Sequence, residues 1–321
     1  MIRLANPSRL YQDLYEPLSK AQEQVIHSNQ VMLGECTTQL EEKIAERSSA
    51  KYCAIVGSGS DALAYGLVAA GVKQTTVPAQ TFVATKNSCH RAGVDITWAD
   101  VTSTGSLDWR EVKGSAVWVG LFGNPSILDT SEPVYEDGAQ HFGIPLQGVF
   151  ASYSFDPTKT LANFGNGGAV VSNNEDIILG VKQLRRHGVV NDYVGGNSIM
   201  SERECAELLI KLDYYNAFLQ RRRELCEYYT EHLGAYVPII TDPTGMISKF
   251  VIATEYKDQL RAHLLEHNIQ SKDVYESPLA DKPRASSNCK QFLSIPCDSH
   301  TTDKEATIVV NSIRDFYETR I

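Results

Sequence analysis

The chain has 321 residues and a mass of 35.5 kDa, more than one small hydrophobic core usually contains, so we expect a large domain and a smaller one. Hydrophobic residues make up 42% and charged residues 21%, a composition that excludes an intrinsically disordered chain. The formal net charge of −9 argues against broad contact with nucleic acid, because phosphate binding needs a clustered basic surface.

Short strands and helices alternate along the first two thirds of the chain. Apolar residues at helical spacing predict helices over residues 16–48, with a break near 28–34, and over 62–70 and 81–92. Apolar and β-branched runs predict strands at 52–56, 75–77, 95–98, 116–121, 134–135, 149–154 and 168–171. Because such alternation is typical of helices packed on both faces of a sheet, we expect an α/β fold with a mostly parallel central sheet.

The pattern changes after residue 201. Residues 202–232 predict one long helix, and the segment that follows begins with Pro238, Pro243 and Gly245. The rest of the chain predicts strands at 250–253 and 292–295 and helices at 257–267 and 303–317. We therefore predict a large domain over residues 1–230 and a smaller C-terminal α+β domain over residues 231–321.

A glycine-rich turn, Gly57-Ser58-Gly59-Ser60-Asp61, joins the first predicted strand to a helix. Free backbone N–H groups at a helix start bind anions, so one interpretation is a phosphate site. With Ala62 the turn also fits the G-x-G-x-x-A fingerprint of dinucleotide enzymes, but the acidic residue expected about 20 positions later is missing from residues 77–81. A third interpretation is a plain βα turn that uses glycine only for its geometry.

Asp137 ends the strand that begins at Val134, and the carboxyl ends of strands are where α/β enzymes bind their ligands. A buried aspartate there can keep the pyridine nitrogen of pyridoxal phosphate protonated, although strand-end aspartates more often cap helices. Lys159 follows a strand and a turn and lies close in sequence to Gly167-Gly168. A desolvated lysine beside a cationic ring becomes a nucleophile for an aldehyde, whereas most single lysines are surface residues.

Together, in this order and at these intervals, the elements resemble the DegT/DnrJ/StrS family of sugar aminotransferases, which are fold type I pyridoxal-phosphate enzymes. The resemblance extends from about Glu16 to Tyr317. Its most specific matches are Glu136-Asp137-Gly138-Ala139-Gln140 and the segment from Ser154 to Lys159. Weaker matches are residues 31–34, 58–63, 77–85, 184–188, 195–197 and 292–296.

The resemblance implies a role for each matching residue. Lys159 would hold pyridoxal phosphate as a Schiff base and move the proton between substrate and cofactor carbons, and Asp137 would pair with the pyridine nitrogen. Phe82 would cover one face of the ring, and Gln140 would contact its hydroxyl side. Asn197 would reach the phosphate of a neighbouring subunit, in a homodimer with active sites at the interface. The residues implied to hold the phosphate within one subunit are Ser58, Gly59, Ser60 and Ser154.

Arg186 and His187 are candidates for substrate contact, although a His-Gly pair after a helix is more often a C-terminal cap. His90 and His141 have no acidic or cysteine companions at ligand spacing, so we expect no metal site. The chain also departs from the family pattern at three places. These are Ile199 in place of a usual arginine, Ala280 in place of a small-domain histidine, and a shorter segment between Leu121 and Val134.

We therefore predict a transaminase of nucleotide-sugar biosynthesis. An amino acid, with glutamate the expected donor, would leave its amine on the cofactor, and a nucleotide-linked keto-sugar would collect it. Lysine at position 159 favours amino transfer, because the related sugar dehydratases carry histidine there. The alternatives are a non-catalytic relative, a lyase or aldolase on a similar scaffold, and a dinucleotide-dependent oxidoreductase.

The seven cysteines are scattered and never form Cys-x-x-Cys, which favours a reducing compartment over a disulfide framework. The N-terminal residues lack the apolar run of a secretory signal. No stretch reaches the roughly 20 apolar residues of a membrane helix. We therefore expect a cytoplasmic protein without membrane contact.

Overall fold

The computed structural model describes residues 1–125 and 128–320. The helices are α1 (Pro7–Asp13), α2 (Tyr15–Ser28), α3 (Glu35–Arg47), α4 (Gly59–Ala69), α5 (Val83–Arg91), α6 (Glu175–Leu184), α7 (Glu202–Leu233), α8 (Lys257–Glu266), α9 (Pro283–Gln291) and α10 (Asp303–Glu318). The strands are β1 (Tyr52–Val56), β2 (Gln74–Pro78), β3 (Asp95–Ala99), β4 (Ala116–Val119), β5 (Val134–Asp137), β6 (Phe150–Ser154), β7 (Gly168–Ser172), β8 (Val189–Val190), β9 (Tyr193–Val194), β10 (Phe250–Ala253), β11 (Lys272–Asp273) and β12 (Phe292–Ile295).

Seven strands form the central sheet, in the order β1-β7-β6-β5-β4-β2-β3. The pairs from β3 to β6 are parallel, whereas β7 is antiparallel to both β6 and β1. Parallel neighbours need a long crossover, and the loop over residues 155–167 that joins β6 to β7 contains no helix, so these two strands pair antiparallel. The mostly parallel α/β sheet predicted from the sequence is confirmed.

Helices cover both faces of this sheet. On one face α4 and α6 contribute Leu63, Leu67 and Val181 to a large buried cluster. On the other face α3 and α7 contribute Leu40 and Leu208 to a second cluster. Because both faces are covered, β4, β5 and β7 are buried at every position. This explains the apolar sequences of β4 and β7, whereas β5 buries the carboxylates of Glu136 and Asp137.

A small antiparallel sheet, β10-β12-β11, follows α7. One of its faces packs on α8, α10 and the last turns of α7, where Leu225, Tyr229 and Leu233 are buried. Its other face contributes Val251 and Phe292 to the core of the central sheet. The smaller C-terminal α+β unit predicted from the sequence is therefore present, and its sheet is antiparallel. The helix α7 runs without a break past residue 230, so the exact boundary between domains remains a prediction.

The structure contains several elements that were not predicted from the sequence. The helix α9 has few apolar residues, and β8, β9 and β11 are two residues long, too short for an alternating pattern. Between β4 and β5, residues 121–123 form a 3-10 turn, and residues 126 and 127 of that shortened segment lie outside the described residues. Among the helices of residues 1–125 and 128–320, none is both long enough and apolar enough to cross a membrane.

Candidate active site

The glycine-rich turn leads into α4, which begins at Gly59, three residues before the start predicted from the sequence. Ser58 is its N-cap, and the Ser58 hydroxyl accepts a hydrogen bond from the Asp61 N–H at 3.1 Å. A Cβ placed on Gly59 would lie 2.6 Å from the Cβ of Ser154, and one on Gly168 would lie 2.5 Å from the Ser58 carbonyl oxygen. The turn is therefore pressed against the ends of β6 and β7. The N–H groups of Gly59 and of the next residue have no acceptor within the first helical turn and can bind an anion.

A second segment crosses this turn. The Gly57 N–H donates to the Ser198 hydroxyl at 2.9 Å, and that hydroxyl donates to an Asp61 carboxylate oxygen at 2.7 Å. Asn197, the predicted contact to a neighbouring subunit, precedes Ser198 and is exposed. The structure thus brings the segment of Asn197 to the edge of the predicted phosphate site and leaves the Asn197 side chain facing outward.

Asp137 lies at the carboxyl end of β5, and only 9% of it is exposed. One carboxylate oxygen accepts a hydrogen bond from the Thr85 hydroxyl at 2.7 Å, and Thr85 in turn lies 2.8 Å from the hydroxyl of Thr81. The other oxygen is 3.3 Å from the Ala139 N–H. No lysine, arginine or histidine of the described residues forms an ion pair with Asp137. A buried carboxylate with two neutral donors is suited to a cationic ligand such as a protonated pyridine.

Lys159 lies in the loop between β6 and β7, and its N–H donates to the Asp156 carbonyl at 2.9 Å. Burial lowers the pKa of the Lys159 amine below its usual value of 10.5, against the opposing effect of the Asp137 and Asp156 carboxylates. A lowered pKa increases the share of neutral amine at neutral pH. The side chain is therefore suited to act as a nucleophile and as a proton carrier.

Gln140 and Phe82 meet at Tyr275, a residue of the small unit that the sequence analysis did not identify. The Gln140 side-chain oxygen accepts from the Phe122 N–H at 3.0 Å, and its amide nitrogen lies 3.4 Å from the Tyr275 hydroxyl. The rings of Phe82 and Tyr275 are 6.3 Å apart at an interplanar angle of 33°. More than half of Phe82, 55%, is exposed, so one of its faces is open to a flat ring.

Arg186 and His187 are both exposed, and within the described residues neither side chain forms a hydrogen bond or ion pair with the other predicted site residues. His187 has a left-handed backbone, with φ of 62°, and the Gly188 N–H donates to the Gln183 carbonyl at 2.9 Å. This is the geometry of a helix C-terminus after α6 and supports the cap interpretation. The substrate role of both residues remains a prediction.

His141 has a structural environment rather than that of a metal ligand. Its ring contacts Trp118, with ring centroids 4.6 Å apart and an interplanar angle of 41°, and lies 3.4 Å from a Glu136 carboxylate oxygen. Across residues 1–125 and 128–320, no group of three or more His, Cys, Asp and Glu side chains is arranged to hold a metal ion.

The dinucleotide interpretation of the glycine turn does not fit this arrangement. That fingerprint belongs to a parallel β-α-β unit with an acidic residue after the second strand. Here β1 pairs with antiparallel β7, and β2 ends at Pro78 with no carboxylate after it. The sequence profile described as the DegT/DnrJ/EryC1/StrS aminotransferase family matches residues 13–314 and confirms the predicted resemblance.

Two curated relatives match almost the whole chain. The pleiotropic regulatory protein of Geobacillus stearothermophilus is 27% identical, over 97% of this chain and 97% of its own length. The dTDP-3-amino-3,4,6-trideoxy-alpha-D-glucose transaminase of Streptomyces venezuelae is 26% identical, over 96% of this chain and 94% of its own length.

Solved structures have the same fold. DesV of S. venezuelae has a TM-score of 0.92 and is 25% identical, with 99% of this chain and 98% of that chain covered. NtdA of Bacillus subtilis, solved with bound cofactor PMP, has a TM-score of 0.88 at 20% identity, with 95% of this chain and 82% of that chain covered. PMP is the aminated form of pyridoxal phosphate, so these findings agree with the predicted cofactor.

Proposed function

Because the chain belongs to the DegT/DnrJ/EryC1/StrS aminotransferase family, we propose that it moves an amino group from an amino acid, glutamate being the expected donor, to a nucleotide-linked keto-sugar. The observation that carries this proposal is a desolvated amine, Lys159, that feels the charge of a buried carboxylate, Asp137, without forming an ion pair with it. An amine of lowered pKa and a carboxylate without an ion-pair partner are the two groups that a pyridoxal-phosphate transaminase needs.

The residues present fit this cofactor. When bound, pyridoxal phosphate supplies an aldehyde that takes up the amine and a ring that accepts electrons. In this proposal Asp137 keeps a proton on the pyridine nitrogen, Phe82 covers the ring and Gln140 lies on its hydroxyl side. The turn at the start of α4 binds the phosphate through Ser58, Gly59 and Ser60, together with Ser154 at the end of β6.

Lys159 has two tasks in the proposed reaction. Its neutral amine holds the cofactor, and after release it removes a proton from one carbon and returns it to another. Such a shuttle works best when the pKa of the base is not far above the working pH, and burial lowers the pKa of Lys159 in this direction. Histidine at this position could not form the covalent link through an amine, which is why lysine favours amino transfer over dehydration.

We propose that the enzyme is a homodimer whose active sites lie at the interface, with Asn197 of one subunit reaching the phosphate of the other. Large apolar side chains are exposed on the segments around the cleft, which supports this arrangement. They include Val31, Met32, Phe82, Val189 and Val194. An active enzyme that sediments strictly as a monomer would contradict the role of Asn197.

Thr85 is expected to support Asp137. In Thr85→Val the shape is kept but the 2.7 Å hydrogen bond to the carboxylate is lost, so Asp137 is less firmly oriented toward the pyridine. We expect kcat to fall roughly tenfold, while the folded protein and its cofactor content stay similar. Thr104→Val, at an exposed threonine, is the matched control. An unchanged kcat in Thr85→Val would show that the Thr85 hydroxyl does not support Asp137 in the reaction.

A half-reaction tests the proposed function directly. The purified protein is loaded with pyridoxal phosphate and mixed with glutamate alone, and the conversion of the cofactor to its aminated spectrum is followed. We expect full conversion and the release of 2-oxoglutarate in equal amount. No conversion with any amino acid would favour the non-catalytic alternative, and release of ammonia or of a shortened carbon chain would favour a lyase or aldolase.

The same protein is then used to identify the acceptor of the amino group. Loaded with the aminated cofactor, it is screened against nucleotide-linked keto-sugars, and return of the original spectrum identifies a substrate. A protein that accepts the amine from glutamate but returns it to none of the keto-sugars would contradict the acceptor part of the proposal.

A further inference from the structure

Two lysines of the small sheet lie on the face that points to the central sheet. Val251 of β10 and Lys272 of β11 are both paired with Ser294 of β12, so their side chains share one face of the sheet. Lys249 precedes Val251 by two residues and therefore lies on the same face. Val251 is buried in the core of the central sheet, which fixes the direction of this face.

The contacts of the chain around Lys249 place it beside the candidate site. Its N–H is 3.5 Å from the carbonyl oxygen of Phe122, the same residue whose N–H binds Gln140. The charges of Lys159 and Lys272 act on the Lys249 amine, and the charge of Lys272 acts on Lys159. Burial, together with the charges of Lys159 and Lys272, lowers the pKa of Lys249 to about 8. Most Lys249 side chains therefore still carry a positive charge at neutral pH.

These three amines lack the partners that lysines normally have. Within residues 1–125 and 128–320, none of Lys159, Lys249 and Lys272 forms an ion pair or a side-chain hydrogen bond. Asp273, the neighbour of Lys272, lies on the opposite face of the sheet and binds Lys257 and Arg261 instead. The carboxylates that act on these amines are Asp137, on Lys159, and Asp156, on Lys159 and Lys249. Three amines therefore face two carboxylates, and in a chain with 39 acidic residues and a net charge of −9 this local excess of amines indicates an anionic ligand.

We propose that Lys249 and Lys272 form a carboxylate-binding site next to Lys159, for a substrate whose reacting carbon stands close to a carboxylate. This inference rests on the proposed function. The α-carboxylate of an amino-acid donor is bonded directly to the carbon that gives up its amine, so a cation beside Lys159 meets it. An acidic keto-sugar, a uronate, is the second source of the same chemistry. The diphosphate of a nucleotide sugar is several bonds further from the reacting carbon and fits this position less well.

Binding of unreactive carboxylates tests the site without any turnover. Glutarate and glucuronate are titrated into the purified protein by calorimetry, with glutaramide and glucose as their neutral counterparts. For at least one of the two acids, we expect Kd to rise by about tenfold or more in Lys249→Met and in Lys272→Met, the effect of losing a charge-assisted hydrogen bond. Lys249→Arg keeps the charge and should restore most of the affinity.

Lys304→Met is the matched control, because Lys304 is an exposed lysine of the same C-terminal part, at the start of α10. Its affinity for both acids should equal that of the wild type. Equal affinity for the acids and their neutral counterparts, no measurable binding of either acid, or the same Kd in Lys249→Met as in wild type would each overturn the proposal. Thermal unfolding of every variant verifies that the fold is retained.

The two half-reactions then identify the source of the carboxylate. If it belongs to the donor, the KM for glutamate rises in Lys249→Met while that for a neutral keto-sugar does not change. If it belongs to an acidic sugar, the KM for the uronate rises and that for glutamate stays the same. Calorimetry does not depend on amino transfer, so a protein that binds glutarate through Lys249 but converts no amino acid would count against the proposed function and not against this site.

Discussion

Replacement of Lys159 by alanine is expected to abolish the covalent attachment of pyridoxal phosphate. The wild-type protein treated with the cofactor and then with borohydride should retain the cofactor permanently, and Lys159→Ala should retain none. Turnover should fall by at least about 10³-fold, because the amine that carries the proton between the two carbons is gone. Mass spectrometry of the reduced protein measures the attachment, and initial rates measure the loss of turnover.

Lys249→Met is the control that tests whether another lysine binds the cofactor. Lys249 is a neighbouring amine whose pKa is also lowered, to about 8, so it is the rival nucleophile in the same cleft. We expect borohydride to fix the cofactor in Lys249→Met as it does in the wild type. Loss of attachment in that variant, with attachment retained in Lys159→Ala, would show that the wrong lysine has been assigned.

Asp137→Asn is expected to keep the cofactor and lose most of the turnover. Asparagine has the same shape and can still accept the hydrogen bond of Thr85, but it carries no charge to hold a proton on the pyridine nitrogen. We expect kcat to fall by about 10²- to 10⁴-fold, with cofactor content close to that of the wild type. Cofactor absorbance and steady-state rates with glutamate and an accepted keto-sugar provide the measurement.

Asp95→Asn is the matched control. It removes an exposed carboxylate at the N-terminal end of β3, whereas Asp137 lies at the C-terminal end of β5, and it should leave kcat unchanged. Full activity of Asp137→Asn would rule out the role assigned to this aspartate. Loss of the cofactor in Asp137→Asn would instead mean that the carboxylate acts mainly in binding.

Much of the large unit could be predicted from the sequence, because its signals are local. The turn that begins α4 is marked by glycine and serine, and Asp137 closes a short segment that starts with Val134 and Tyr135, so both could be placed at strand and helix ends. The direction of β7 is not a local property. It depends on the path of the loop over residues 155–167, and the apolar run of β7 is compatible with either direction.

The residues of the small unit that face the cleft were not predictable for the same reason. Lys249, Lys272 and Tyr275 follow Lys159 by many residues and meet the site only because β10 and β11 pair with β12. Nothing in their immediate sequence separates them from surface residues. Thr85 was missed for another reason. It lies within a segment that matches the family, but only its hydrogen bond to Asp137 shows that it supports this carboxylate.

The arrangement of β10, β11 and β12 bears on how this protein can change in evolution. The proposed cofactor-binding groups belong to the large unit, whereas Lys249 and Lys272 belong to the small one, and Lys272 is exposed. Substitution of the exposed Lys272 alters stability little, in contrast to substitution of the buried Val251 on the same face. Mutation can therefore change the charge of the proposed substrate-binding lysines while the cofactor-binding residues stay the same. Descendants of one transaminase can then differ in the substrates they accept long before they differ in the reaction they catalyse.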